Sequence, residues 1–434
     1  MYNRVFFMKE SMFLPKSTNY QVINAIENNQ CQRCLSVLDP ACLNEQLIPY
    51  CSTCEAFGRI TQGMKLYRFE RTISKKNHTL EMPFELSTEQ KQASQLLYEA
   101  TSQSPECYLY AVCGAGKTEI LYQSIFNALI NNQRIALVIP RTNIVKELAF
   151  RLKPIFPNTT LNCVYEDEKD DSDADILVLT PQQLIRYDHE FDLMFIDEAD
   201  AFPFKGNAFL NQLVQKAINV DGKLVQMSAT MPKSQQKIIH QTKKPIFILP
   251  ARFHRHSLDN FQIGYVLNLG NWIRQSALLP TLIVDWLNVH QSQNRQALLF
   301  VPTIEWGNRV FYAMKEHGYS VESVSSVEGR RDEKIDWFRE KRGLFLVSTT
   351  LLERGVTFSD IDVGILHGSH SVYDEFTLVQ MAGRVGRKQA YPTGEIKIFT
   401  EKRTRSIKRA MAYIDNMNAE AKRRGLLDDM PNMS

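Results

Sequence analysis

The chain has 434 residues, 44% apolar and 23% charged, which is too long for one ordinary core and normal for a globular protein of two or three domains. A net charge of +3 is too small to name a partner, and no apolar run is long enough to span a bilayer. Lys9 and Glu10 interrupt the apolar start, so it does not read as a secretory signal and a cytoplasmic setting is expected.

Four of the eight cysteines come first, as CQRC (31–34) and CSTC (51–54) with sixteen residues between the pairs. Two turns that each present a thiolate pair suit a tetrahedral zinc ion on Cys31, Cys34, Cys51 and Cys54, and four protein sulfurs leave no open position for catalysis. An iron–sulfur cluster and disulfides are the alternatives for these four. Cys42, Cys107, Cys113 and Cys163 are isolated and read as small packing residues. After the cysteines, KLYRFERTISKK (65–76) mixes aromatic and basic residues, with Arg68, Arg71, Lys75 and Lys76 among them. It fits a nucleic-acid grip and a β-hairpin equally well.

From Leu86 the grammar changes. LSTEQKQASQLLYEA predicts a helix capped by Ser87 or Thr88. Short apolar strands follow at 108–112, 134–140, 176–180 and 193–197, separated by helical stretches. That pattern predicts a parallel sheet covered on both faces. The acidic run EDEKDDSDAD (166–175) reads as a solvated loop. The same alternation restarts with strands at 297–302, 344–349 and 362–368, so two α/β units of similar size are expected. The boundaries fall at 1–80 for the N-terminal region with its zinc module (about 28–60), 81–245, 246–410, and a basic tail or helix at 411–434.

AVCGAGKTEI (111–120) follows a strand and opens a helix. Gly114, Ala115 and Gly116 let backbone amides curl around phosphate oxygens at a helix N-terminus, Lys117 adds mobile positive charge, and Thr118 can ligate magnesium. LMFIDEAD (193–200) ends an apolar strand in Asp197, suited to holding magnesium, and Glu198, suited to polarising a water. Gln90, with a donor and an acceptor on one amide, matches an adenine edge, and Phe84 reads either as a base stack or as core. These parts predict nucleotide hydrolysis with Mg2+; they do not themselves select adenine, and Gln90 taken alone also reads as a helix-surface residue.

Farther on, QMAGRVGRK (380–388) spaces Arg384 and Arg387 three apart, so on a helix they and Gln380 share a face and can reach a γ-phosphate across a cleft that closes on ATP. SAT (228–230) offers two hydroxyls beside the acids. Arg141, Thr142, Thr180 and Thr349 stand at strand ends, where they suit contacts to a phosphate backbone that do not read base sequence. Trp272, Trp286, Trp306 and Trp337 read as packing.

AVCGAGKT, PRTN, TPQQL, DEAD, SAT, STTLLERGVTF and QMAGRVGR, in that order over roughly residues 84–400, resemble the DEAD-box-like superfamily 2 helicases. The resemblance implies two tandem RecA-like parallel-sheet domains behind the zinc module. It also implies nucleotide contacts at Gln90, Glu353 and Gly355 and nucleic-acid contacts near Arg141, Thr142, Thr180 and Thr349. With its cysteine pairs the whole chain is similar to the competence ATPases of Gram-positive bacteria. That similarity implies a motor on single-stranded DNA that helps transforming DNA into the cell, at the inner face of the membrane, beside other competence proteins at the uptake channel. An RNA-dependent ATPase, a non-enzymatic nucleic-acid scaffold and a homo-oligomeric state stay open.

Overall fold

The computed structural model describes residues 2–7, 20–70, 76–166, 174–199, 202–204, 206–231, 233–275, 278–325, 330–353 and 358–428. The chain divides into two compact units, Met1–Tyr110 with Thr118–Phe247 and Ala111–Lys117 with Ile248–Ser434. Each has its own parallel sheet of the RecA type.

The first sheet runs, in spatial order, Ile246–Leu249, Glu106–Ala111, Ile218–Ser228, Phe191–Ile196, Ile135–Val138, Ile176–Leu179 and Leu161–Val164. From Glu106–Ala111 onward every neighbouring pair is parallel. The second sheet runs Gln262–Tyr265, Ile396–Thr400, Ile361–Leu366, Gln296–Phe300, Phe345–Ser348 and Val321–Val324, parallel throughout. IALV, ILVL and FLVS are buried at every residue because helices cover both faces, which is why the strands lack alternation. Trp272, Trp286 and Trp306 are buried in the second unit, and Trp337 packs against its core, so the four are packing residues.

Ahead of the first sheet, Lys65–Glu70 is the central strand of an antiparallel three-stranded sheet, between Tyr2–Phe7 and Tyr20–Asn24. The stretch is therefore the middle strand of a sheet rather than one arm of a plain hairpin. Arg68 is bound to Asp188 at 2.5 Å, and Lys76 Nζ lies 2.8 Å from Asp175 Oδ2. Arg71 and Lys75 lie outside the described residues. Asp175 overturns part of the acidic-loop expectation. It is 6% exposed, and its Oδ2 also accepts from Thr160 Oγ1 at 2.6 Å, because it stands at the mouth of a buried strand rather than in solvent. The basic C-terminal residues form the helix Arg405–Arg423, where Glu420 pairs with Arg423 and Arg424. Among the described residues no helix is long and apolar enough to cross a membrane.

Both sheets are clamped by buried charge at their amino edges. In the first, Arg134 pairs with Glu190, both side chains fully buried, and the Arg134 N–H donates to Asp192 Oδ2 at 2.8 Å. In the second, Arg295 grips both oxygens of Asp362 at 2.5 and 2.8 Å, while His290 Nε2 lies 3.0 Å from Oδ2 and the Glu395 N–H donates to Oδ1 at 2.7 Å. Burial pushes the Asp362 carboxyl up, but bonds from His290, Arg295 and Glu395 outweigh it and hold the group below the usual carboxylate range. A depressed folded value means stability that is present above the ordinary carboxylate range and lost as pH falls through the folded value. Asp362→Ala is expected to lower the second unit's unfolding free energy by about 1–3 kcal/mol near neutrality, since it removes the acceptor of His290, Arg295 and the Glu395 N–H and leaves Arg295 with Asp360 alone. Urea melts should show the gap to wild type narrowing below about pH 4; a gap independent of pH would refute the assignment.

Candidate functional site

The strand order brings the motif-bearing strands side by side. Glu106–Ala111 runs into the phosphate loop, Ile218–Ser228 ends in SAT, Phe191–Ile196 ends at the acids, Ile135–Val138 leads to Arg141, and Ile176–Leu179 leads to Thr180. Because these strands are parallel, all five carboxyl ends lie on one edge, the edge where ligands bind in such sheets. The strand entering the phosphate loop and the acid-bearing strand are two places apart, about 10 Å at the usual spacing.

The loop itself turns through Gly114 at φ +87° and Gly116 at φ +77°, values that a side chain strains to reach. Ala115 N–H donates to Val112 O at 3.0 Å, and Lys117 opens the helix Lys117–Ile130 with Thr118 behind it. This glycine turn at a helix N-terminus has the geometry that suits an anion. Asp197 is fixed by its N–H to Val138 O at 3.0 Å, and its Oδ1 accepts from the Glu198 N–H at 2.9 Å. Glu198 has φ +55°, a left-handed conformation costly for a residue with a Cβ and concentrated at functional positions. Asp200 lies outside the described residues.

Other expected residues stand as follows. Gln90 closes a capping box: its Oε1 accepts from the Ser87 N–H at 3.0 Å, and Ser87 Oγ accepts from the Gln90 N–H at 3.2 Å. Phe84 is 41% exposed and tilted against Tyr122, with centroids 6.5 Å apart. In SAT the two hydroxyl residues bond to each other, the Thr230 N–H to Ser228 Oγ at 2.9 Å and Ser228 Oγ to Thr230 O at 2.7 Å. Arg141 is the N-cap of the helix Thr142–Leu152, and Thr180, 7% exposed, stands at the N-cap of the short 3-10 helix Pro181–Arg186 without a side-chain cap bond. Thr349 follows the strand Phe345–Ser348 directly. Gly355 and the side chain of Glu353 lie outside what is described.

The arginine segment departs from expectation. The helix is Glu375–Ala382 and stops at Gly383, so Gln380 is helical but Arg384 and Arg387 are not. Gly383 caps the end and Gly386, at φ +64°, turns the chain away, so the arginines do not share a helical face. Arg387 is fixed instead by its Nε donating to Gly383 O at 2.8 Å, and Arg384 is 2% exposed. Cys113, expected to be filler, touches this segment: its Sγ donates to Gln380 Oε1 at 3.4 Å, within the second compact unit. A side chain on Gly383 would come within 2.5 Å of the Cys113 thiol, so the glycine is what permits the approach.

The four paired cysteines converge, with all four Sγ atoms within 4.8 Å of one another and all four residues buried. Cys31 Sγ and Cys54 Sγ are 3.8 Å apart, and Cys34 Sγ and Cys51 Sγ are 3.6 Å apart. A tetrahedron with Zn–S near 2.3 Å has edges of about 3.8 Å, so the cluster fits zinc. Hydrogen bonds among the thiols, those with Cys31 foremost, hold Cys34 and Cys51 below the usual thiol range, Cys51 at about 7. Sequence reasoning missed Arg33, inside the first pair. Its guanidinium is the brace of the cluster, donating to Cys54 O at 2.6 Å, Phe57 O at 2.9 Å and Gly58 O at 2.5 Å.

Residues 83–233 match the family described as "Type III restriction enzyme, res subunit", and residues 276–389 match "Helicase conserved C-terminal domain". The chain is similar to Competence protein ComFA of Bacillus subtilis, 34% identical over 374 residues that cover 85% of this chain and 80% of that protein. It is also similar to Competence protein ComFA of Streptococcus pneumoniae, 29% identical over 397 residues, 90% of each. In fold it is similar to the solved structure of S. cerevisiae Dbp5 bound to RNA and ADP BeF3, with TM-score 0.59 and 16% identity over 77% of this chain and 88% of that one.

Purified protein is expected to carry about one zinc per chain, and Cys31→Ser or Cys54→Ser should lose the metal and lower the melting temperature of the first unit. Elemental analysis with thermal melts checks this; full stability in metal-free protein would count against a structural zinc.

Proposed function

The chain belongs to the ComFA family of competence proteins, and on that premise we propose that it is a single-stranded DNA translocase that helps draw transforming DNA into the cytoplasm. An ATP-dependent, helicase-like motor in competence is what the family and its two helicase domains carry. The finer reading rests on one observation: the phosphate-loop residues Ala111–Lys117 share a compact unit with the QMAGRVGR segment, joined at Cys113 and Gln380.

In this reading Lys117 holds the terminal phosphates and Gly114, Ala115 and Gly116 supply backbone amides. Thr118 and Asp197 would hold magnesium, which when bound screens the phosphate charge. Glu198 orients the attacking water, and Gln380 contacts it. Arg384 and Arg387 neutralise charge that develops on the γ-phosphate. Gln90 contacts adenine while its Oε1 serves the helix cap, and Glu353 and Gly355 complete the nucleotide contacts. Arg141, Thr142, Thr180 and Thr349, all just past carboxyl ends of parallel strands, grip a phosphodiester backbone without reading bases. The zinc module is structural. Partners at the membrane uptake channel, work at the inner membrane face and self-association belong to the same proposal.

Steady-state ATP hydrolysis with no nucleic acid, single-stranded DNA, duplex DNA and RNA tests it. Single-stranded DNA is expected to stimulate about tenfold or more. Stronger activation by RNA would overturn the DNA reading, and indifference to every polymer would overturn the motor.

Lys117→Ala should keep the fold and lose turnover; full activity in that variant would exclude the phosphate-loop assignment. Binding to single-stranded DNA should weaken with salt, with a logarithmic slope of about 0.7 per neutralised phosphate, and should depend little on base sequence. Affinity constant across a salt titration is the contrary result.

A further inference from the structure

We propose that Arg252 is a positioning residue for nucleotide hydrolysis, a buried brace that joins the phosphate loop to the arginine-bearing turn 383–387; this rests on the ATPase reading above. Nothing in the motif pattern marks it: PARFHRH (250–256) lies between the two α/β repeats and reads as linker.

Its surroundings, all within the second compact unit, show otherwise. Arg252 is 2% exposed. Its Nη2 donates to Val385 O at 2.8 Å, the carbonyl between Arg384 and Gly386, and Nη1 donates to Pro392 O at 3.1 Å. Asp259 Oδ2, 3.6 Å from Nη1, supplies the counter-charge. On the other side the aliphatic stem lies along the phosphate loop, with Cγ 3.5 Å from where a Cβ on Gly114 would stand. Gly386 has no room for a side chain beside Nη1. Two glycines of the two nucleotide segments are thus shaped around one guanidinium and its stem.

Neighbouring residues repeat the link. The Phe253 N–H donates to Gly114 O at 3.1 Å, and the Val112 N–H donates to Leu249 O at 3.1 Å. His254 Nε2 donates to Gly386 O at 2.9 Å, a tautomer fixed by the His256 N–H donating to His254 Nδ1 at 3.3 Å. Burial holds His254 below the ordinary histidine range, which keeps the ring neutral and that tautomer in place. The span from Leu249 to His254 therefore bonds both the phosphate-loop segment, through Leu249 and Phe253, and the turn carrying Arg384 and Arg387, through Arg252 and His254.

Hydrolysis needs phosphates and arginines in fixed register, and small displacements of charged groups cost rate more than binding. Losing Arg252 removes the brace and leaves the buried Val385 carbonyl and the half-buried Pro392 carbonyl without their donor, while the amides and Lys117 that bind nucleotide in the proposed reading stay in place. The predicted signature is a fall in kcat with little change in KM.

Steady-state ATP hydrolysis by the full chain and its Arg252→Met and Arg252→Lys variants, first without nucleic acid, tests this. Arg252→Met is expected to lose about tenfold or more in kcat with KM for ATP within about threefold of wild type, and Arg252→Lys, which keeps the charge but not the planar fork, should recover part of it. A kcat within about twofold of wild type in both variants overturns the proposal. So does loss of kcat and KM in parallel with melting temperatures about 5 °C or more lower in both, the mark of a purely structural arginine. Where only Arg252→Met melts lower, the kcat-to-KM split of Arg252→Lys decides. The unstimulated rate reads Arg252 alone; a wild-type rate unresponsive to single-stranded DNA overturns the motor reading instead.

Discussion

The constraint on which everything else depends is that both sheets are parallel. Parallel pairing sends every strand's carboxyl end to the same edge and every amino end to the other, so the molecule has two chemically different rims. Five consecutive neighbours in the first sheet end at the phosphate loop, SAT, the acid pair, Arg141 and Thr180. Sequence separations of up to about a hundred residues collapse to strand spacings of about 5 Å each. Had even one of these strands run the other way, its motif would sit at the opposite rim.

The two rims divide stability from function. At the amino rims, charge is paired and wholly or partly buried: Arg134 with Glu190, Lys76 with Asp175, Lys244 with Glu106, and Arg295 with Asp360 and Asp362. Each pair stands beside the start of a strand, and all but Lys76–Asp175 join that strand to its neighbour. Left-handed backbone occurs at both rims: His189, Asn294 and Asp360 at the amino rims have φ +51°, +49° and +57°. Glu198, directly after Asp197, has φ +55°, and His367, directly after the strand Ile361–Leu366, also has φ +55°. Conformations that cost of order 1–3 kcal/mol persist only where surrounding structure over-determines them.

The sheets, the phosphate loop and the cysteine cluster were legible from sequence because each is encoded locally. A run such as IALV has few ways to bury itself, a Gly-rich turn before a helix has one obvious ligand class, and two tight cysteine pairs have few alternatives. What escaped was set by long-range partners. Arg384 and Arg387 look helical by spacing, yet the flanking Gly383 and Gly386 end the helix first. Asp175 looks like one more solvated acid until Lys76 and Thr160 arrive from elsewhere in the chain. KLYRFE looks like half of a hairpin, whereas its partners are two strands from the first two dozen residues. Arg33 and Cys113 act through contacts to residues far away in sequence, Gly58 and Gln380 among them, that no spacing rule announces.

The cysteine module is not a tethered finger, and the reason lies in how it is buried. Its four cysteines, with Ala25, Ile26, Leu38, Ile60 and Leu66, belong to the same core as Leu177 and Leu179 of the first sheet and Leu184, Ile185 and Tyr187 just beyond it. Polar contacts reinforce the seam. Arg68 binds Asp188, and the fully buried Lys216 donates its Nζ to Tyr187 O at 2.7 Å. Burial pulls the Lys216 ammonium down to about 8, with the Asp188 carboxylate opposing the shift. The segment 180–188, which begins with Thr180, therefore rests on the module. On the proposed reading, a zinc that folds the module would also support this segment, since the two share one core.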